Sequence, residues 1–425
     1  MHHKRNQRVN QVTENSLVVG IDIAKHTHYG LAIDDRGQEL GKAFPFKQSL
    51  EGFHKLLMQL NQLKEDHQKT EVLVGFEPTG HYWKNLAAFL IEHEIPFVTV
   101  NPMHVNRTKE LDDNLQTKND QKDARVIAKL VTSGNFSFPR KLEGIEHELR
   151  EGATLRNRIK DDIASTKNRI TGFMDLYFPE FSHVFKGYGK QACAVLKNTP
   201  FPSDLKGQRP EELAAWIKEC SKSTYSPKKK TERLCKLAEQ SIGLTEGTVM
   251  ARKQITTLVH QLELLQEQLY EVEQQLEELV KEMPEFEYLT SIRGIGEQTV
   301  VELLAYTGSL SGYDHPRQII KLAGLTLREN SSGLMRGTKR LSKRGRKDLR
   351  SLLFKAILPL IQNNQSFYDL YQYYITRSEN PLRKKEAMVV LCSKLIKVMH
   401  GLAKHETHFD PERMSEDIPF LQEVA

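Results

Sequence analysis

Apolar and polar positions alternate in two different textures along this chain. From residue 16 the apolar residues come in short runs, SLVVGIDIA, HYGLAID and ELGKAFPF, each bounded by turn residues, which predicts three β-strands. Leu50, Phe53, Leu56, Leu57 and Leu60 then recur in helical steps and predict a helix over about 48–64. EVLVGFE (71–77) is a continuous apolar run stopped by Glu77 and Pro78, the pattern of a strand buried on both faces. HYWKNLAAFLIEHE reads as a second helix and IPFVTVN (95–101) as another buried strand. The order β-β-β-α-β-α-β predicts a helix-covered sheet, an α/β domain over residues 16–140.

From about residue 145 helical periodicity takes over. Ile145, Leu149, Leu155, Ile159, Ile163, Ile170 and Phe173 mark one stripe. Ile255, Leu258, Leu262, Leu265, Leu269, Val272, Leu276 and Leu279 alternate steps of three and four without a break, a heptad seam that predicts a coiled coil. Its flank is acidic, with seven Glu and one Lys over 261–283. Two long helices separated by 180–250 predict an antiparallel arm over 141–283 with a subdomain inserted at its tip. The prolines at 200, 202 and 210 and the SPKKK turn give that insertion no assignable fold. A helical block broken by glycines covers 284–405, and residues 1–15 and 406–425 read as tails.

Composition narrows the class. No run approaches 18 consecutive apolar residues, and the polar start MHHKR has no apolar segment behind it, so neither a membrane helix nor a secretory signal is expected. Cys193, Cys220, Cys235 and Cys392 have no CxxC spacing, which fits a reducing cytosol better than a disulfide framework or a zinc ribbon. The net charge of +6 becomes informative once it is located. MRGTKRLSKRGRKDLR (335–350) holds eight Lys or Arg and one Asp, a local +7, so the remainder sums to −1. A cationic run placed between apolar stretches, instead of at a terminus, points to phosphates more than to a solvated tail.

Three constellations can carry chemistry. Asp22 ends the first buried strand and Glu77 the next apolar one. Strand ends in an α/β sheet lie on one rim, where such folds place their sites. KNDQKDARVIAKL sets Asp120 and Asp123 three apart at the start of a helix, on one face. Four converging carboxylates cannot all stay ionised without cations, and hard oxygen ligands suit Mg²⁺ or Mn²⁺. The plainer alternative is a turn residue at Asp22 and an N-cap at Asp120. The second constellation is the turn Ser331-Ser332-Gly333, followed closely by Arg336, Lys339, Arg340, Lys343 and Arg344. A serine there would face a phosphate-binding surface, although the residues alone do not say which serine acts. The third is SIRGIGEQTV (291–300), where Gly294 and Gly296 between two helices resemble a helix-hairpin-helix offering backbone N–H groups to a phosphate, or equally a tight αα-turn.

Taken in order, GIDIAK (20–25), FEPTGHY (76–82), NP (101–102), KNDQKDAR (118–125), SIRGIGEQTVVELLAYTG (291–308) and LAGLTLRENSSGLMRGTKRLSKRG (322–345) resemble the transposases of the insertion-sequence 110 family, the DEDD recombinases of bacterial mobile elements. The resemblance implies an N-terminal RuvC-like domain of RNase H fold in which Asp22, Glu77, Asp120 and Asp123 bind Mg²⁺. It implies a C-terminal transposase domain whose nucleophilic serine maps onto Ser332, forming a covalent phosphoserine link to DNA, with Gly294, Gly296, Arg336, Lys339, Arg340, Lys343 and Arg344 contacting nucleic acid. It also implies a structured guide RNA, DNA partners at the element ends and target, and a homo-oligomer, dimer or tetramer, through the coiled coil. The setting implied is the bacterial cytoplasm at the nucleoid. This chain departs from the family in having Arg293 where Pro often precedes G-I-G, and in the insertion over 180–250. Competing readings are a metal-dependent junction resolvase or nuclease without a covalent intermediate, an actin-type kinase, whose second phosphate loop is missing, and a non-enzymatic scaffold.

Overall fold

The structure, a computed structural model, describes residues 2–78, 80–113, 120–140, 144–222, 224–328 and 340–416. It divides into two compact units, Met1–Lys141 and Leu142–Ala425.

The first unit is built on a six-stranded sheet in the order β3-β2-β1-β4-β5-β6. The strands are β1 (Ser16–Asp22), β2 (Thr27–Ile33), β3 (Phe44–Lys47), β4 (Glu71–Phe76), β5 (Phe97–Val100) and β6 (Phe136–Ser137). β1 pairs antiparallel with β2 and parallel with β4, and β4 is parallel to β5. The predicted order is present, with the short β6 and a helix over Pro102–Asp113 in addition. That helix starts with Pro102, whose missing N–H costs nothing in a first turn, and Asn101 Oδ1 accepts from Met103 N at 2.9 Å. Alternation sorts the core. Leu17, Val19 and Ile21 of β1, with Val74 and Phe76 of β4, pack under Leu56 and Leu60 of the Leu50–Asp66 helix and Leu86 and Leu90 of the Trp83–Glu92 helix. Val18, Leu31, Leu73 and Val98 point to the opposite face, onto Ala124, Ile127, Ala128 and Val131 of the Asp120–Thr132 helix.

In the second unit the Ile145–Tyr177 and Thr248–Lys281 helices run side by side. Leu149 and Ala153 share a core with Leu276 and Val280 at one end, and Ile159, Ile163 and Ile170 with Ile255, Leu258 and Leu262 at the other, so the pair is antiparallel. The heptad positions of the second helix are thus spent inside the chain. Arg156, 4% exposed, ties the pair to the Glu297–Thr307 helix: Nε donates to Glu273 at 2.8 Å and Nη2 to Glu302 at 2.5 Å. At the far end, the residues without a sequence-based assignment form short helices, among them Lys190–Asn198, Pro210–Cys220 and Lys228–Glu239, around Phe181, Val195, Leu196, Phe201, Ile217 and Leu234. The chain leaves the arm at Tyr177 and returns beside it, with Leu244 N donating to Leu176 O at 2.9 Å.

The C-terminal helices, including Lys347–Asn363, Gln365–Thr376 and Lys384–His405, close over Leu304, Ile357, Leu360, Phe367, Leu391 and Leu395 in one core with the arm's base. Lys394 and Lys397 belong to a helix that packs on protein through Leu391, Leu395 and Met399. Among the described residues no helix is long and apolar enough to cross a membrane.

Candidate functional site

Alternation also decides where the first two acids point. Val18 and Gly20 of β1, and Leu73 and Gly75 of β4, face the Asp120–Thr132 helix. Asp22 and Glu77 each come two residues after those glycines, at the same ends of two parallel strands paired Gly20 to Gly75 and Ile21 to Phe76. They therefore leave the sheet toward that helix. The helix sits close because the strands offer no side chain beneath it at Gly20 and Gly75. A Cβ at Gly20 would stand 2.1 Å from the Ala124 carbonyl oxygen and 2.5 Å from the Ala128 nitrogen, and one at Gly75 would stand 2.4 Å from Val131 Cγ2. Asp120 and Asp123 occupy its first turn, where carboxylates suit the helix dipole.

The structure brings Asp123, Asp120 and Glu77 within electrostatic reach of Asp22. The Asp22 carboxyl is pushed up to about 6, first by burial, then by the negative charges of Asp123 and Asp120 and, more weakly, Glu77, while Lys109 pulls it down. Lys109, from the Pro102–Asp113 helix, donates to Asp123 Oδ2 at 2.6 Å, and Asp123 is only 5% exposed. Among the described residues no group of three or more His, Cys, Asp or Glu is set to hold a metal ion. Proximity enough for repulsion is thus present, and the cation resting on the cluster is an ammonium. The donors are all carboxylate oxygens, which is the chemistry a hard divalent ion takes, and the lysine stands where positive charge is needed. In that sense the set fits such an ion.

Sequence reasoning missed Lys109, and it missed His28. His28 is fully buried on β2. Its Nδ1 accepts from Ala24 N at 3.1 Å, so Nε2 carries the hydrogen and donates to Gln48 Oε1, and Gln48 Nε2 donates to Tyr82 O at 3.0 Å. Burial pushes the imidazole below its ordinary range, against a smaller upward pull from Gln48, and keeps it neutral. One relay therefore ties the segment just after Asp22 to Tyr82, at the start of the Trp83–Glu92 helix.

Asp22 titration gives a sign that can be checked. A proton held more tightly in the folded chain adds stability below the unfolded value near 3.8, and that stability is lost as pH rises through about 6. With a chelator present, Asp22→Asn should gain on the wild type in thermal midpoint as pH climbs from about 4 to 7. A difference that stays constant over that range would contradict the clustering.

Of the second predicted cluster, Ser331, Ser332, Arg336 and Lys339 lie outside the described residues. Arg340 and Lys343 are described, as is Arg344; Arg340 is exposed on a strand, Arg340–Leu341, that pairs with Leu327–Arg328. Ser342 N donates to Thr326 O at 2.7 Å and Lys343 N to Gly324 O at 3.1 Å, so both ends of this segment are fastened together. Gly345 is required there, since a Cβ would stand 2.4 Å from Leu322 O. The glycines of the third constellation differ. Gly294 has φ +98° and presses on the Lys347–Asn363 helix, where an added Cβ would stand 3.0 Å from Leu360 Cα. Gly296 opens the Glu297–Thr307 helix, and a Cβ there would meet nothing within 4 Å.

Comparison with known proteins finds two family matches along the chain. Residues 19–179 match a family described as a transposase, DEDD_Tnp_IS110, and residues 286–372 match one described as transposase of the IS116/IS110/IS902 family. The chain is 23% identical to the pilin gene-inverting protein of Moraxella lacunata over 92% of its own length and 97% of that protein. It is 23% identical to the insertion element IS116 44.8 kDa protein of Streptomyces clavuligerus over 92% and 96%. With the transposase for insertion sequence element IS1111A of Coxiella burnetii it shares 20% identity over 74% and 73%.

Proposed function

The chain belongs to the IS110 family of transposases, and from this premise we propose that it exchanges DNA strands by passing backbone phosphates through a covalent link to its own Ser332, supported by the carboxylates Asp22, Glu77, Asp120 and Asp123. What supports the reading is that Asp22, whose carboxyl is pushed up to about 6 first by burial, also feels the charges of Asp123, Asp120 and Glu77. A divalent cation, Mg²⁺ or Mn²⁺, held by these four would supply charge neutralisation at the phosphate. The remaining work belongs to the chain. Asp123, with Lys109 upon it, holds the cluster together before nucleic acid arrives. The His28–Gln48 relay links Ala24, which follows Asp22 on the chain, to Tyr82 at the start of the Trp83–Glu92 helix, beyond Glu77.

In this reading the Ser332 Oγ–P bond forms as one backbone P–O bond breaks, and the departing deoxyribose oxygen takes up a proton. Attack by a new deoxyribose hydroxyl then reverses the step, releasing the serine and joining the exchanged strand without net hydrolysis. Arg336, Lys339, Arg340, Lys343 and Arg344 would neutralise the phosphate's oxygens, and Gly294 and Gly296 would offer backbone N–H groups to the duplex. A structured guide RNA would choose donor and target DNA. A dimer or tetramer would bring sites from different protomers together. Because the heptad seam is buried within the chain, an oligomer would use the outer face of the Thr248–Lys281 helix, where Leu264 and Tyr270 are exposed.

The test is incubation with element-end DNA and Mg²⁺, followed by a denaturing gel and mass spectrometry of any protein–DNA adduct. Ser332→Ala should lose the adduct and strand transfer by at least about 10³-fold, whereas Ser331→Ala should keep both. Continued cutting by Ser332→Ala would favour the nuclease alternative, which needs the acids and water alone.

A further inference from the structure

The inserted segment plays no part in the reading above, yet it holds a cleft of about 620 Å³ lined by Lys167, Lys186, Lys190 and Lys230 together with Tyr188 and Gln266. The lysines come from three separate pieces of chain: the first arm helix, the stretch that opens the Lys190–Asn198 helix, and the Lys228–Glu239 helix. Among the described residues no carboxylate lines the cleft, and none of these four lysines makes an ion pair. Glu263, on the second arm helix, is engaged by Lys197 at 2.8 Å. Lys230 instead rests on neutral partners, the Phe185 ring at 5.3 Å and Gln191 Oε1 at 3.3 Å. Four lysines share one cleft with no acid among the residues that line it, and Asp175, which acts on Tyr188, lies outside that lining.

Two features of the backbone point the same way. Gly187 and Gly189 flank Tyr188, and a Cβ at either would meet nothing within 4 Å. Gly189 has φ −82° and ψ 176°, which any residue adopts. Neither packing nor conformation requires glycine here, so what the pair provides is open access to the main chain. The Lys190–Asn198 helix begins at that point with no side-chain cap, no acid in its first turn, and a lysine instead. That is the reverse of what a helix N-terminus prefers, unless an anion completes it.

We propose that this cleft is a second nucleic-acid contact, one that takes the phosphodiester backbone of a strand on the lysines and on the open N–H groups of Gly189 and Lys190. It deepens the proposed function, resting on the reading that the chain handles nucleic acid, and gives the inserted segment a task apart from the chemistry.

The experiment measures equilibrium binding of full-length protein in EDTA, so that no cleavage intervenes. Two labelled probes, a DNA duplex and a structured RNA hairpin, are titrated over a range of salt. Lys167→Gln/Lys186→Gln/Lys190→Gln should lower the slope of log K against log salt by about 2–3 for the probe the cleft holds. Lys206→Gln/Lys218→Gln, in the same subdomain but outside the cleft, should leave it unchanged. A drop with the duplex alone identifies DNA, a drop with the hairpin alone identifies RNA, and a drop with both identifies a shared backbone site. Gly187→Ala/Gly189→Ala, which touches no charge, should weaken the same probe with an unchanged slope and an unchanged circular dichroism spectrum. Wild-type binding with an unaltered slope in the triple variant would overturn the cleft while leaving the proposed function standing. Failure of the wild type to bind either probe would overturn both.

Discussion

Asp22→Asn is expected to reduce strand cleavage and exchange at least about 10³-fold, a rise in barrier of about 4 kcal/mol, while the chain stays folded. The amide keeps the shape of the carboxyl and its place at the end of β1, but it removes the charge that the cluster contributes toward a bound cation. Loss of function should coincide with a gain in stability at neutral pH. Asp22 is half-buried near other acids and holds its proton up to about 6, so its ionisation works against the fold. A merely structural acid would show the opposite pairing, with activity and thermal midpoint falling together. Measuring both on one preparation separates the cases. Activity within tenfold of wild type would remove Asp22 from the chemistry.

Gly20→Ala carries the second large effect. Its Cβ would lie 2.1 Å from one backbone atom of the Asp120–Thr132 helix and 2.5 Å from another, and backbone cannot rotate away. The helix must lift off β1, at a cost of about 3 kcal/mol or more in urea unfolding. The same displacement draws Asp120 and Asp123 away from Asp22, so the surviving folded protein should also bind Mn²⁺ less tightly. Gly75→Ala meets a side-chain methyl of Val131 at 2.4 Å, which can yield in part, and should cost less. Gly172→Ala, on the first arm helix with open space around it, should instead stabilise by about 0.5–1 kcal/mol. Equal losses at Gly20 and Gly172 would contradict the close approach of helix and sheet.

The sheet and its acids are legible because alternation and burial speak through the chain's own order. Val18, Gly20 and Asp22 share one face by arithmetic, and two parallel strands of similar length end together. Lys109 is not legible. Its helix carries one buried apolar residue among those described, Val105, so no stripe announces which side faces the acids. His28 is hidden inside a strand, where a polar residue on a period of two passes for a solvent-facing one until its partners Ala24 and Gln48 are seen. The heptad seam does mark a long helix, but periodicity cannot say whether its complement lies in another protein or a hundred residues upstream. The insertion is illegible because its helices are short and their apolar residues meet only in three dimensions.

The point at which the arm opens into that insertion has a consequence for how such enzymes diversify. Leu176 and Leu244 are bonded across the neck, so the chain exits and re-enters through one doorway. Whatever is threaded between them closes the same gap, and the entropy of closing it grows only slowly with length. The tip therefore behaves as an exchangeable cassette: provided it keeps an apolar floor for Phe173 and Ile255, lineages can enlarge, trim or replace it without retuning the machinery at the base.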